Sequence, residues 1–165
     1  MLNLNACAFK LRGQNELPPD LRVMYLDMQD PYSSFTATVS KTLRSSGITL
    51  VDSPQQAKVV LRIDKPVLSS RLVTIGTSNQ SRVYNVVYAS SFTLSYPKGK
   101  SIIPPGRLSA SRNLTLSPNQ LIESNNQLPL LQREMERDLI SQLLNQLTSE
   151  QVAQALQSPV QPPRN

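Results

Sequence analysis

Tyr84-Asn85-Val86-Val87-Tyr88-Ala89-Ser90-Ser91-Phe92-Thr93-Leu94-Ser95 is the clearest strand in this chain. Tyr84, Val86, Tyr88, Phe92 and Leu94 stand at even positions, and Asn85, Ser91, Thr93 and Ser95 at odd ones. That is the two-residue period of a strand with one face in a core and the other in water. Upstream, Lys58-Val59-Val60-Leu61-Arg62-Ile63 is strand-like and Val67 to Ile75 is a second β-branched run, joined to the central strand by a hairpin turn at Gly76-Thr77-Ser78-Asn79. Downstream, Pro97-Lys98-Gly99 turns the chain. Leu108, Ala110, Leu114 and Leu116 then alternate with Ser109, Ser111, Asn113 and Thr115. The expectation is three consecutive antiparallel strands with one apolar face.

This stretch also holds the charge asymmetry. From Lys58 to Leu116 there are nine basic residues (Lys58, Arg62, Lys65, Arg71, Arg82, Lys98, Lys100, Arg107, Arg112) and one acidic, Asp64, out of 17 basic and 11 acidic in the chain. The net +6 is therefore +8 here and −2 elsewhere, so the sheet and its loops are the part that would meet an anion. With 165 residues the chain suits one domain with its own core. It has no histidine, no tryptophan and one cysteine, Cys7, which removes zinc sites of the usual kinds, His-based catalytic triads and internal disulfides. The carboxylates cluster only at Glu134-Glu136-Asp138, which at helical spacing reads as a solvated surface. The chain reads as a non-enzyme that needs no metal or cofactor.

Leu21 to Asp27 reads as a strand. Asp30-Pro31 reads as a helix start, with an oxygen acceptor at the cap and proline at the first helical position. Phe35, Val39 and Leu43 form a narrow apolar stripe ended by Gly47, and Ile48 to Val51 is a short strand. Strand, helix, strand predicts a crossover that sets these two strands parallel if they share a sheet. Ser117-Pro118-Asn119 opens a polar link that includes Ser124-Asn125-Asn126. From Pro129 to Leu147, Leu131, Met135, Leu139, Leu143 and Leu147 recur every three or four residues, predicting the longest helix. Thr148-Ser149-Glu150-Gln151 caps a further short helix through Leu156. The sum is an α+β two-layer sandwich, with two helices packed on one face of a mixed, roughly four-stranded sheet. The other face stays open, and its serine, threonine and asparagine residues suit contact with a polar protein wall, with Ser91, Thr93 and Ser95 as the partner-contact candidates. Arg112 stands where the alternation calls for an apolar residue, so it is either turned out by a bulge or held near an edge.

The chain opens with Leu4-Asn5-Ala6-Cys7, the pattern of a lipobox, where bacterial lipoproteins are cleaved and the cysteine is acylated. Asn5 is atypical there, and the ordinary alternative is a buried free thiol. Cys7-Ala8-Phe9-Lys10-Leu11-Arg12-Gly13, then Leu17-Pro18, the strand Val23-Met24-Tyr25-Leu26-Asp27, Asp30-Pro31, Gly47-Ile48-Thr49-Leu50, Ser117-Pro118 and the last helix resemble, in order and spacing, the LPS-assembly lipoprotein family LptE. Ala8 replaces that family's usual glycine and Lys10 its usual histidine.

The resemblance implies residues 1–6 as the remnant of a signal peptide, an α+β domain over 7–157, and a proline-rich tail over 158–165 that is expected to be disordered. It implies a non-catalytic subunit of the lipopolysaccharide translocon, acylated at Cys7 and held at the periplasmic face of the outer membrane. There it would support assembly of the β-barrel LptD, plug its polar lumen and contact lipopolysaccharide. The family's lipopolysaccharide-binding basic positions fall here near Thr77 and Ser124, which are not basic. The role, if kept, moves to Arg71 and Arg82 beside the hairpin tip, and to Arg107 and Arg112, whose guanidinium forks match phosphate geometry. The alternative is a nucleic-acid-binding module built on the basic sheet. That module calls for aromatic residues on the open face for base stacking, whereas Tyr84, Tyr88 and Phe92 share the register of the core.

Overall fold

The computed structural model describes residues 17–75, 82–116 and 124–157. Cys7, the 76–79 turn, most of the polar link after residue 116 and the 158–165 tail lie outside them. The strands are β1 (Val23–Met28), β2 (Thr49–Val51), β3 (Val59–Ile63), β4 (Val67–Ile75), β5 (Arg82–Ser95) and β6 (Gly106–Leu116), and the helices are α1 (Ser34–Ser45), α2 (Ser124–Leu147) and α3 (Glu150–Gln157). They form one mixed sheet in the order β2-β1-β3-β5-β4, with β6 on the other side of β5.

β1 runs parallel to both β2 and β3, as the strand-helix-strand reading requires. β5 is antiparallel to β6 along one edge and to β3 and then β4 along the other. The sheet therefore has six strands where about four were expected. All six fall on runs already marked in the sequence, Ile48 to Val51, Lys58 to Ile63 and Val67 to Ile75 among them, and all six join one sheet. A bulge in which Asp64, Lys65 and Pro66 oppose only Ser90 and Ser91 separates β3 from β4 along one side of β5. Proline has no N–H for the ladder, so the edge is where it is tolerated. The Ser90 hydroxyl donates to the Asp64 carbonyl at 2.7 Å and the Asp64 N–H to the Ser91 carbonyl at 3.0 Å, which fixes the bulge.

The core lies between the even-numbered face of β5 and the helices. Val86, Tyr88, Phe92 and Leu94 are buried with Leu108 and Ala110 of β6, Val59, Leu61 and Ile63 of β3, the α1 stripe Phe35, Val39 and Leu43, and Met135, Leu139, Leu143 and Leu147 of α2. Tyr84 is half-buried at the rim. Phe35 meets Tyr88 edge to face at 6.5 Å between ring centres. α1 ends in a Schellman turn: Gly47 has φ +86°, its N–H reaches the Arg44 carbonyl, and the Ile48 N–H reaches that of Leu43. α3 begins where Ser149 accepts the Val152 N–H.

Both long helices start elsewhere than the sequence suggested. α1 begins at Ser34, because the Ser33 hydroxyl takes the Thr36 N–H. The Asp30-Pro31 pair forms the preceding turn, with the Asp30 carbonyl accepting from the Ser33 and Thr36 hydroxyls. α2 already includes residues 124–126, read as part of the polar link, and runs through Pro129. Pro129 is the sixth residue of α2, past the first turn, so it gives up one ladder bond to the Asn125 carbonyl.

Candidate functional site: the open face of the sheet

The odd-numbered face of β5 carries no helix among the described residues. Ser91 is exposed there and Thr93 and Ser95 are half-buried, so all three expected contact residues lie on it. Register extends the surface: Ser91 pairs with Arg107, Ala89 with Ser109, Val87 with Ser111 and Asn85 with Asn113 on β6. Asn85 donates to Asn113 across the strands at 3.0 Å. Serine, threonine and asparagine share this face with Val83, Val87 and Ala89 of β5, Val60 of β3 and Val67 of β4, so hydrogen-bonding groups concentrate on β6 and on the Ser91–Ser95 end of β5.

Against the bulge the face dips into a cleft of about 430 Å³ lined by Asp64, Lys65, Val67, Ala89, Ser91 and Arg107, among others. The Ser91 hydroxyl donates to the Asp64 carboxylate at 2.7 Å. Asp64 also lies within 4.0 Å of Arg62, which reaches Asp27 at 3.9 Å. Ser91 thus has a structural task as well as an exposed position. Lys65, counted among the basic residues of this stretch but not among its site candidates, joins the cleft beside the bulge; a proline interrupting the run was the available signal.

The basic excess resolves into two groups. Lys58, Arg62, Lys65 and Arg112 each meet a carboxylate, respectively Asp20, Asp27 with Asp64, Asp30, and Asp138. Arg71, Arg82, Lys98, Lys100 and Arg107 form no ion pair among the described residues. Arg71 pairs with Asn85 and so shares the open face with Arg107, about 20 Å away at the usual rise per residue. Arg82 pairs with Ile75 and Leu116 at an even position, so Arg71 and Arg82 leave the hairpin on opposite faces.

Arg112 is not turned out by a bulge, because the β5–β6 register is unbroken from Arg82↔Leu116 to Phe92↔Gly106. β6 is an edge strand, and the guanidinium of Arg112 is held under α2 by Asp138 at 2.5 Å and by the Ser111 carbonyl at 2.9 Å. Both side chains of the ion pair are 41% exposed, so the pair is screened. Arg112→Gln should lower stability by no more than about 1 kcal/mol, read by chemical denaturation. A larger loss would mean that the guanidinium is part of the core.

Asp138 is thus not a free surface charge, and neither is Glu136, which is 8% exposed and accepts from Tyr88 and Gln132. The reading of the acidic run as a solvated surface holds for Glu134 alone, which is exposed. Glu136 follows Met135 on the flank of the apolar stripe, where the helix turns it toward β5.

Among the described residues no group of His, Cys, Asp and Glu could hold a metal ion, and no helix is long and apolar enough to cross a membrane. Tyr25 is the one strand aromatic on the open face, so a base-stacking row is missing from the described strands. An uncovered sheet face rich in hydroxyl and amide groups, with Arg71 and Arg107 at its margins and a helical layer behind it, defines a binding subunit. The chain belongs to the lipopolysaccharide-assembly family LptE, which matches residues 21–147. It is 30% identical over 150 residues to the LPS-assembly lipoprotein LptE of Yersinia enterocolitica, covering 86% of this chain and 68% of that one. It is 26% identical over 151 residues to the protein of that name from Pectobacterium atrosepticum, covering 91% and 76%. Its fold is that of the rare lipoprotein B of Shewanella oneidensis (TM-score 0.67, 22% identity, 79% of this chain and 96% of that one). The lipoprotein B of Nitrosomonas europaea is similar in the same way (TM-score 0.70, 18% identity, 85% and 90%). The family is not enzymatic.

Proposed function

We propose that the chain is the LptE subunit of a lipopolysaccharide translocon: a lipoprotein acylated at Cys7, held at the periplasmic face of the outer membrane, that supports and plugs the LptD barrel and touches lipopolysaccharide in transit. The observation that carries this reading is the uncovered Ser/Thr/Asn face, since the interior of a large outer-membrane barrel is itself polar and hydroxyls and amides pair with such a wall directly or through water. Multiple acyl chains on Cys7 would make the anchoring stable, and mass spectrometry of the membrane fraction would detect them.

The barrel contact is tested at Thr93, which has no part in the bulge. Thr93→Glu puts a charge on the face and should weaken co-purification with LptD about tenfold or more, on the order of 1.4 kcal/mol, while leaving the melting temperature of the isolated chain unchanged. Normal co-purification would remove the open face from the interface. For lipopolysaccharide phosphates, Arg107 is the first candidate, with Arg71 and Arg82 at the far end of the hairpin. Arg112 would contribute only by leaving Asp138. Arg107→Ala should weaken lipopolysaccharide binding, and wild-type binding should fall as salt rises, because exposed charge pairs are screened over about 10 Å at 0.1 M.

A further inference from the structure

The outer edge of β4 is unpaired among the described residues. The orientation of its backbone follows from bonds elsewhere in the sheet. On β6, the Ser109 N–H and carbonyl both point away from β5, where they meet the Gln142 side-chain amide at 3.1 and 3.0 Å. Ala89, opposite Ser109, therefore directs its own peptide groups toward β4, and so do the other odd residues of β5, consistent with the bond from Asp64 to the Ser91 carbonyl. On β4 the odd residues from Val67 to Arg71 then point inward; beyond Leu72 the register shifts by one at Val73, where Thr74 already faces Val83. The N–H and carbonyl groups of Leu68, Ser70 and Leu72 point outward, toward solvent.

The three edges are treated differently. β2 is three residues long. β6 has its Ser109 groups taken by Gln142 and its Ser111 carbonyl by Arg112, as edges guarded against pairing often are. β4 is nine residues long and exposes apolar side chains: Val67 is 65% exposed, Leu68 40%, Leu72 43% and Val73 61%. Its sequence from Val67 to Val73 reads Val-Leu-Ser-Ser-Arg-Leu-Val, symmetric about Ser70 except for Ser69 against Arg71.

We propose that β4 is a self-complementary edge through which two copies of the free chain pair antiparallel about a two-fold axis at Ser70. An isologous contact requires each residue to meet its mirror position. Here Ser70 meets Ser70 and Leu68 meets Leu72 of the second copy, and the ladder ends at Leu72, before the register shift at Val73. The outward peptide groups of residues 68, 70 and 72 supply the ladder. Arg71 meets Ser69, so the two Arg71 side chains lie diagonally, about 7–8 Å apart, on one face. Their repulsion weakens the pair at low salt.

The test is sedimentation equilibrium on the full chain, with three variants. Wild type should form a reversible dimer whose dissociation constant falls about threefold or more between low salt and about 0.5 M, where the arginines are screened. Ser70→Pro should be monomeric with its melting temperature kept, because the lost N–H faces outward and proline is tolerated at such edge positions. In a Cys7→Ser chain, Ser70→Cys should cross-link to itself on mild oxidation, since directly opposed residues of a hydrogen-bonded pair lie about 5.5 Å apart between Cα atoms, within disulfide range. Ser69→Cys, facing Arg71, should cross-link about tenfold more slowly. A chain monomeric at every concentration, a dimer that survives Ser70→Pro, or equal cross-linking at positions 69 and 70 would each overturn the proposal. A monomeric wild type whose binding to purified LptD is lost in Ser70→Pro would assign the edge to the barrel instead.

Discussion

Gly106→Ala should cost about 2–3 kcal/mol of stability, at the upper end of what overpacking a core by one methyl group costs, and lower the melting temperature by about 5–10 °C for a chain of this size. Gly106 opens β6 directly opposite Phe92, a side chain only 1% exposed. A Cβ at position 106 would fall on the Phe92 ring, against Cε1 and Cζ and 3.0 Å from Cδ1. The ring lies over the glycine, a cross-strand arrangement that recovers packing lost where a side chain is absent. It is enclosed by the core and has no free volume to swing into. The cost should therefore depend on the partner: in a Phe92→Leu background, Gly106→Ala should cost under about 1 kcal/mol, leaving a coupling of about 1–2 kcal/mol in the double-mutant cycle. Additive costs would mean that strain at Gly106 comes from its backbone and not from the ring.

The core was legible in the sequence because it follows periodicity. Tyr88, Phe92 and Leu94 at even positions, the Phe35-Val39-Leu43 stripe and the Met135-to-Leu147 stripe are all buried as the alternation and the helical period require. The open face was legible for the same reason, since a fixed period of two assigns Ser91, Thr93 and Ser95 to the side opposite the helices. Features set by pairing between distant segments were not legible. The contact between Gly106 and Phe92 depends on the β5–β6 register, which no local pattern states. Asp64 and Ser91 meet only because Pro66 forces a bulge, and the partners of Lys58, Arg62, Lys65 and Arg112 come from β1, the turns flanking β1, the bulge after β3, and α2. A net charge of +8 over one stretch thus overstated the free cations, since acids from other segments fold back onto four of the nine. The early start of α2 was hidden because serine and asparagine favour caps and turns through local hydrogen bonds, whereas tertiary packing of the stripe carries the helix.

The buried contact between Tyr88 and Glu136 should give the chain an alkaline step in stability. Tyr88 is 4% exposed, and its hydroxyl donates to Glu136 at 3.4 Å, while Gln132 donates to the same carboxylate oxygen at 3.1 Å. Burial, and then the charge of Glu136, push the phenol from 10.0 up to about 12. The folded chain therefore holds this proton over a range where the unfolded chain has lost it. Stability from this group is fully present below pH 10 and declines as pH rises from about 10 to about 12, because the unfolded state then binds fewer protons than the native one. The loss over that window should be on the order of 2–3 kcal/mol, since each tenfold change in proton affinity is worth about 1.4 kcal/mol. Tyr88→Phe should remove most of that step while keeping the ring contact with Phe35. It should also lower stability at neutral pH by about 1–2 kcal/mol, since the buried carboxylate of Glu136 loses a donor. Denaturant titrations of both chains at pH 8, 10 and 11.5 separate the two effects. A step of equal size in Tyr88→Phe would place the alkaline sensitivity in the other tyrosines or in lysine deprotonation, and not in the buried pair beneath the sheet.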